Sequence, residues 1–310
     1  MRRDIVILGA FFADTTYRTP RLPRPGETLM GLGFALGPGG KGSNQAVAAA
    51  RAMGAGGGAV HLVTRLGRDS FAEMARAIWT EAGVRAHVAE DAEAATGAAC
   101  ILVEDAGGEN AIVIAPGAAG RLCPADVEAE APRFAGASVV MTQLEQPLPA
   151  ARRALEIGRA GGAMTILNPA PALPLDDALL SLCNIVTPNE TEAEALTGIA
   201  VAGLDDAARA GAALIARGAG AALITLGARG ALWCGGETTV HVPALNAGPV
   251  VETTGAGDAF AGGFAVALAE GQDPVAAARF GCATAALAVT RPGTAAAMPV
   301  RAEVLQVLAR

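Results

Sequence analysis

Apolar positions follow two rhythms along this 310-residue chain. Short unbroken apolar runs at 5–8, 61–64, 139–142, 165–167, 185–187 and 223–225 read as strands covered on both faces, since a half-exposed strand would alternate. Between them, apolar residues three and four apart predict helices over 41–53, 70–82, 150–159, 190–196, 205–217, 258–270 and 274–289. The alternation predicts an α/β fold of βαβ units, with a mainly parallel sheet and helices on both faces. No internal repeat or interdomain linker interrupts it, so one domain over residues 1–310 is expected.

Two segments break the rhythm. Residues 15–36 carry prolines, glycines and short alternating pieces. Residues 96–115 read as a hairpin, with strands at 98–103 and 110–114 around a Glu-Asp-Ala-Gly-Gly turn. Together they suggest a small β-structure standing off the main sheet, the alternative being a pair of surface loops. The glycine-rich run 54–58 reads as a helix stop and a loose turn.

Composition narrows the classes. With 52% apolar but only 4% aromatic residues, the core must be built from Ala, Val, Leu and Ile. The 40 glycines are mixed with periodic apolar residues, which fits a globular chain rather than a low-complexity one. A net charge of −7 and the lack of a basic run argue against a nucleic-acid surface. Cys100, Cys123, Cys183, Cys234 and Cys282 are scattered, as free thiols in a reducing cytosol would be. His61, His87 and His241 lie apart, without metal spacing. The apolar run from Ile5 to Ala13 is too short for a bilayer, and Asp14 ends it. Arg2 and Arg3 resemble a signal-peptide start, but no small-residue cleavage site follows. A soluble cytoplasmic protein with no membrane partner is expected.

The most informative stretch is Glu252-Thr-Thr-Gly-Ala-Gly-Asp-Ala-Phe-Ala-Gly-Gly263. It sets Asp258 after Gly255 and Gly257 and ahead of an apolar helical segment, Phe260, Phe264 and Leu268. The first amides of a helix are unpaired and its dipole favours negative charge, so its N-terminus attracts phosphate. The glycines let a bulky anion approach the backbone. A base beside an anion cradle suits phosphoryl transfer.

Other motifs are less specific alone. In Gly37-Pro-Gly-Gly-Lys-Gly-Ser-Asn44, Gly42 follows Lys41 where a P-loop needs Ser or Thr. What remains is either a structural turn or a glycine turn with Asn44, donor and acceptor in one, facing a polyhydroxylated ligand. The glycines of 31–37 are spaced one residue too widely for a dinucleotide fingerprint, which leaves hydride transfer unsupported. Asp14 reads as the end of the first strand, and Glu145 follows the strand at 139–142. Ligands of open α/β sheets bind beyond such strand ends, although an acid there also reads as a turn or loop residue. Thr187-Pro-Asn-Glu-Thr-Glu192 opens a helix. Its acids suit any helix start, yet Asn189 and Glu192 share one face and can orient waters on Mg²⁺. Thr225-Leu-Gly-Ala-Arg-Gly230 can hold nucleotide phosphate or ribose, or simply turn into the next strand.

In this order the motifs resemble the ribokinase-like (PfkB) carbohydrate kinases over essentially the whole chain. Gly39-Gly-Lys-Gly-Ser-Asn-Gln-Ala46 looks like the N-terminal signature and Thr253-Thr-Gly-Ala-Gly-Asp-Ala-Phe260 like the C-terminal one. Asn168-Pro-Ala-Pro-Ala172, Thr187-Pro-Asn-Glu-Thr-Glu-Ala193 and Val289-Thr-Arg-Pro-Gly293 are similar to the ribokinase branch. The resemblance implies a doubly wound sheet with a small β-lid, here from about 15–36 and 96–115, often the clasp of a homodimer. It implies an ATP-dependent phosphotransferase making D-ribose 5-phosphate from D-ribose. A nucleoside kinase or another sugar kinase such as a fructokinase is the first alternative, and a non-catalytic sugar- or nucleotide-binding regulator the second.

By the family's pattern Asp258 is the catalytic base, and the amides of Gly255, Ala256 and Gly257 form the anion hole. Asp14, Gly40, Lys41, Asn44 and Glu145 match sugar-contacting positions. Asn189, Thr225, Gly227, Gly230 and Gly257 match the nucleotide site, and Asn189 with Glu192 a Mg²⁺ held through water. Glu252, Thr254, Arg291 and Gly293 match an activating K⁺ loop that works mostly through backbone carbonyls. Two positions depart. Phe12 stands where ribokinases usually carry Asn, and a phenyl ring cannot hydrogen-bond a hydroxyl, which favours a nucleoside or a less polar sugar. Glu252 stands where Asp is typical, keeping the charge with a longer reach.

Overall fold

The computed structural model describes residues 3–54, 57–105 and 109–310. In chain order the strands are β1 (Ile5–Leu8), β2 (Phe12–Thr19), β3 (Gly33–Gly39), β4 (Val60–Leu66), β5 (Arg85–Glu90), β6 (Ala98–Glu104), β7 (Asn110–Ala115), β8 (Val139–Thr142), β9 (Met164–Leu167), β10 (Ile185–Val186), β11 (Ala221–Thr225), β12 (Ala231–Gly235) and β13 (Thr238–Val242). The α-helices are α1 (Lys41–Met53), α2 (Ser70–Ala82), α3 (Pro124–Ala129), α4 (Ala131–Gly136), α5 (Leu148–Ala160), α6 (Asp177–Leu180), α7 (Glu190–Thr197), α8 (Leu204–Ala216), α9 (Ala256–Ala269), α10 (Pro274–Ala288) and α11 (Arg301–Leu308).

Among the described residues a nine-stranded sheet runs β13-β12-β11-β10-β9-β8-β1-β4-β5. It is parallel from β5 to β11, with β12 and β13 added antiparallel at one edge. The apolar runs are covered on both faces, as their lack of alternation implied. Ile5, Ile7, Val139 and Met141 enter a core with Val47 of α1, Phe264 of α9 and Phe280 of α10. Their neighbours Val6, Leu8 and Val140 enter a second core with Phe134 of α4 and Ala154 of α5. Leu167, Val186 and Ile224 pack on Leu214 of α8. The chain enters the sheet at β1, third from the β5 edge, with β4 on one side and β8 on the other. That reversal opens a crevice at the strands' carboxyl ends.

The two rhythm-breaking segments form a separate four-stranded sheet, β3-β2-β6-β7. Its register places Asp14, Ala99 and Ile114 in one row, and Tyr17, Phe34 and Leu102 in a row on the opposite face. One expectation is corrected. Asp14 does not end the first strand; the run 5–13 breaks after Leu8, and Asp14 lies within β2 of the small sheet. Periodicity could not show the break, because Gly9, Ala10 and Phe11 are buried where the chain crosses between the sheets. The hairpin matches β6 and β7, but residues 106–108 of its turn, like 55 and 56 of the glycine run, lie outside the described residues. Strands β5 and β13 escaped the reading because they carry mostly exposed or half-buried residues and no apolar run. Among the described residues no helix is long and apolar enough to cross a membrane.

Candidate active site

Asp258 lies in the first turn of α9, four residues ahead of Gly262. A Cβ on Gly262 would strike the carbonyl of Gln45 and the side chain of Ala48. Glycine therefore lets α1 and α9 meet backbone to backbone. That approach sets two amides on the carboxylate. Asn44 Nδ2 donates to Asp258 Oδ2 at 3.0 Å, and Gln45 Nε2 donates to Oδ1 at 3.0 Å. Burial raises the pKa of Asp258, while the Lys41 ammonium and the two amides oppose it. The product is a carboxylate more basic than in water and fixed at both oxygens, which suits a general base. Asn44 Oδ1, in contrast, is buried with no partner. Leaving such an acceptor unpaired costs about 1–3 kcal/mol, so the position suits a donor from a ligand or a water.

Three residues that the sequence reading did not assign to the site support the base. Gln45 Nε2 also donates to Asn168 Oδ1 at 3.0 Å, and Gln143 Nε2 donates to Gln45 Oε1 at 2.5 Å. Asn168 Nδ2 in turn donates to the Thr187 carbonyl at 2.9 Å. Gln45 and Asn168 stand inside recognised motifs, so a signal existed. Gln143 had only its place just past β8, at the crevice.

Other acids gather around the base. Glu145 Oε2 accepts from the Lys41 amide at 2.7 Å. Burial pushes its carboxyl up to about 7, against the pull of Lys41. Asp14 lies across Gly39, where a Cβ would strike its carboxylate. Burial, then the charge of Asp258, raises it to about 6. Burial also raises Glu192, opposed by the Asn189 amide and Lys41. Burial works against the Lys41 ammonium, but Asp258, Glu145 and Glu192 together raise its pKa. Lys41 was expected among the sugar contacts. It lines, with Asn189, Glu192, Thr225, Gly257 and Asp258, a cleft of about 190 Å³ at the α9 N-terminus. Its neighbour Gly40 turns the chain from β3 into α1 at φ 86°, with its Cα hydrogen facing the backbone of Phe11 and Phe12. Two larger cavities, of about 660 and 520 Å³, lie at the other end of the strands, around Arg301 and His61. They hold none of these groups.

At the mouth of α9, Gly255 takes φ 80° as N-cap. The expectation of three anion-hole amides is corrected: Ala256 N–H donates to the Thr253 carbonyl at 3.1 Å and is already engaged. The amides of Gly255, Gly257 and Asp258 have no backbone acceptor among the described residues. A Cβ on Gly257 would meet nothing within 4 Å, so the cradle is open there.

Asn189 and Glu192 form a capping box. Asn189 Oδ1 accepts from the Glu192 amide at 2.8 Å, and Glu192 Oε2 accepts from the Asn189 amide at 2.9 Å. The helix-start reading therefore holds, and it leaves Glu192 Oε1 and Asn189 Nδ2 for a ligand. Thr225 bridges to Asn189 and donates its amide to the Pro188 carbonyl at 2.9 Å, which brings both helix start and strand end to the cleft. Gly227 and Gly230 stand beyond it in a short turn, and a Cβ on Gly230 would strike the Val242 carbonyl, so that glycine has a packing reason of its own.

Of the expected cation residues, Glu252 and Gly293 are in contact. Glu252 Oε2 accepts from the Gly293 amide at 2.8 Å, and the Val251 and Glu252 amides both donate to the Val289 carbonyl. The Arg291 side chain turns away to pair with Glu303 of α11, and Thr254 is exposed beside Gly255. This geometry suits a cation held by loop carbonyls, with Glu252 clamping the two segments. Among the described residues no group of three His, Cys, Asp or Glu could hold a metal ion; the Glu192 oxygen that the capping box leaves free suits an ion held through water.

The sequence matches the pfkB family carbohydrate kinase profile over residues 2–301. It is 38% identical to a ribokinase of Haemophilus influenzae over 311 residues, covering 99% of both chains. It is 35% identical to a deoxyribokinase of Salmonella typhi over 297 residues, covering 96% of this chain and 95% of the other. The fold superposes on the structure of Arabidopsis thaliana ribokinase complexed with ribose and ATP, with TM-score 0.93, 31% identity and 99% of each chain covered. The ribokinase-type α/β fold, the base at a helix mouth and the full-length matches lead to one conclusion: the chain belongs to the pfkB family of carbohydrate kinases.

Proposed function

We propose that this chain is an ATP-dependent sugar kinase whose leading reaction converts D-ribose to D-ribose 5-phosphate. The observation that carries the reading is Asp258, held at both oxygens beside the unpaired amides of α9, with the orphaned acceptor of Asn44 next to it. The ribokinases it resembles support the same reading.

In this mechanism Asp14, Glu145 and Asn44 Oδ1 engage ring hydroxyls and aim the acceptor hydroxyl at Asp258. Its oxygen attacks the γ-phosphorus as its proton passes to Asp258. The bond from γ-phosphorus to the bridging oxygen breaks, and ADP leaves. The transition state is loose, so positioning and charge stabilisation by Lys41 and the amides of Gly255 and Gly257 carry most of the rate. Glu192 Oε1 would hold Mg²⁺ through water, and the carbonyls of Thr254, Arg291 and Gly293 beside Glu252 would hold K⁺. When bound, these ions neutralise phosphate charge. Thr225 with Asn189 would flank the nucleotide. Free thiols at Cys183, Cys234 and Cys282 suit a reducing cytoplasm.

The small sheet supports a homodimer. Its face opposite Asp14 exposes Tyr17, Phe34, Leu36 and Val113, an apolar patch that a second copy would cover. Phe34→Glu should shift sedimentation to the monomer; an unchanged dimer would place the interface elsewhere.

A second reading rests on Phe12. It shares a strand face with Asp14, is 2% exposed, and its ring fills the space over Gly97, so an apolar surface stands beside a hydroxyl-binding acid. A sugar with one hydroxyl fewer, such as 2-deoxyribose, would lose no partner there. Coupled ADP release over ribose, 2-deoxyribose, fructose, adenosine and inosine tests both. Turnover of nucleosides alone, or of nothing, would reject the sugar-kinase reading.

A further inference from the structure

The loop 291–298 touches three parts of the site at once. Arg51 of α1 anchors its base, donating from Nη1 to the carbonyls of Ala295, Ala296 and Met298 at 3.1–3.2 Å. At its tip Thr294 lies against the N-cap of α9, where a Cβ on Gly255 would sit 3.4 Å from Thr294 Cα and Cβ. The Thr294 hydroxyl reaches the other way, donating to the Pro38 carbonyl at 2.8 Å.

That carbonyl is free for a reason set by register. Pro38 stands opposite Ala13 on the edge strand β3. The Ala13 amide donates to Gly97 on the β6 side at 2.9 Å, so Ala13 and Pro38 form a non-hydrogen-bonded pair. The Pro38 carbonyl therefore points out of the small sheet. Two residues on, Gly39 and Gly40 carry the chain into α1, and Gly40 takes φ 86°. Pro38 thus sits at the joint between the sheet that carries Asp14 and the helix that carries Asn44 and Gln45. Thr294 spans the distance from this joint to the α9 N-cap at Gly255.

From this bridge we propose that Thr294 is a positioning residue that couples the sugar side of the site to the nucleotide side. Sugar held by Asp14 fixes the small sheet and hence Pro38. The Thr294 hydroxyl passes that position to Gly255, whose amide faces the phosphates. The coupling rests on the sugar-kinase reading, and it is reciprocal: sugar tightens nucleotide as much as nucleotide tightens sugar.

The experiment measures the affinity of a β,γ-imido ATP analogue, with and without saturating ribose or 2-deoxyribose, whichever turns over. In the parent protein the sugar should tighten the analogue at least ~5-fold. Thr294→Val keeps the volume and removes the hydroxyl; the tightening should fall below about 2-fold, with the analogue's own affinity changed by less than about 2-fold. Thr294→Ser should restore the tightening, and Thr294→Ala should lose it, with KM for the sugar rising more than kcat falls. Full tightening in the Val and Ala variants, or none in a parent protein that turns sugar over, would overturn the proposal. Absence of turnover with every sugar would instead remove the kinase reading, and this inference with it.

Discussion

Asn44 and Asp258, 214 residues apart in the chain, meet through one hydrogen bond of 3.0 Å, and that bond leaves the Asn44 carbonyl buried and unpaired. The amide must turn its NH₂ to the carboxylate, so its oxygen is committed to the space where a substrate hydroxyl would lie. One residue thus orients Asp258 and keeps an unpaired acceptor beside it.

Replacing Asp258 by Asn tests the base directly. The variant keeps the shape but presents an NH₂ to one of the two amide donors, at a cost of about 1–3 kcal/mol for the mismatched pair. Relief of a buried charge offsets part of that, so the protein should stay folded and bind nucleotide as before. The fall in kcat should be at least ~10², the low end for a general base. Steady-state kinetics beside a thermal melt decide it, and near-normal kcat would remove Asp258 from the role.

Gln45 bonds to Asp258, Asn168 and Gln143, and its proposed part in the reaction runs through Asp258. Gln45→Leu removes one donor from the carboxylate and orphans Asn168 Oδ1 and Gln143 Nε2. The loss should be about 1–3 kcal/mol of stability, mostly from the buried Gln143 amide, since Asn168 is half-buried at the cleft. An Asp258 freed on one oxygen should lower kcat ~10-fold or more while KM for ATP barely moves. Equal changes in both constants would mean that Gln45 supports the cleft as a whole and not the base.

The acid cluster predicts a pH dependence of definite sign. Glu145 titrates near 7 and Asp14 near 6 in the folded protein, against ordinary values of 4.5 and 3.8. Between about pH 4 and 7 the folded state therefore holds more protons than the unfolded one, and stability falls as pH rises through that window. The contribution of these two groups is fully present below their unfolded values and lost above about pH 7, on the order of 5 kcal/mol at about 1.4 kcal/mol for each pH unit that separates folded from ordinary values. Glu145→Gln should flatten the slope of stability between pH 5 and 8; an unchanged slope would show that Glu145 titrates normally. Turnover moves the other way, because Asp258 must be ionised to accept a proton, and kcat/KM should fall on the acid side.

Much of this site was legible because its residues lie in short contiguous motifs. Asp258 with its glycines, Lys41 with Asn44, and Asn189 with Glu192 each announce a helix start, and helix starts are local. What was not legible depends on contacts between distant segments. That Gly262 lets α1 touch α9, and so delivers Gln45 to Asp258, follows only from the packing. The engagement of the Ala256 amide by Thr253 is a turn detail that a glycine pattern does not encode. Asp14 was placed on the wrong element because Gly9, Ala10 and Phe11 are apolar and buried while crossing between sheets, so hydropathy ran on without a break.

The proposed role of Phe12 in choosing the acceptor makes a sharp prediction. It sits two residues before Asp14 on the same strand face, with its ring packed over Gly97 beside Ala10 and Ala119. A hydroxyl brought against that ring would give up its water without a replacement, at about 1–3 kcal/mol on protein scales, or roughly 5- to 150-fold in discrimination. Phe12→Asn restores a donor and an acceptor and is smaller, so it also opens room over Gly97. The ratio of kcat/KM for ribose over 2-deoxyribose should therefore rise at least ~10-fold, mainly through KM for ribose, with the maximal rate on the better sugar kept within about 3-fold because Asp258 is untouched. A ratio unmoved by the substitution would mean that the ring faces only Gly97 and Ala119 and that sugar preference is set at Asp14 and Glu145. A ratio that already favours ribose strongly in the parent protein would show that the ring covers a carbon carrying no hydroxyl, and the ribose reading would then stand without the second one.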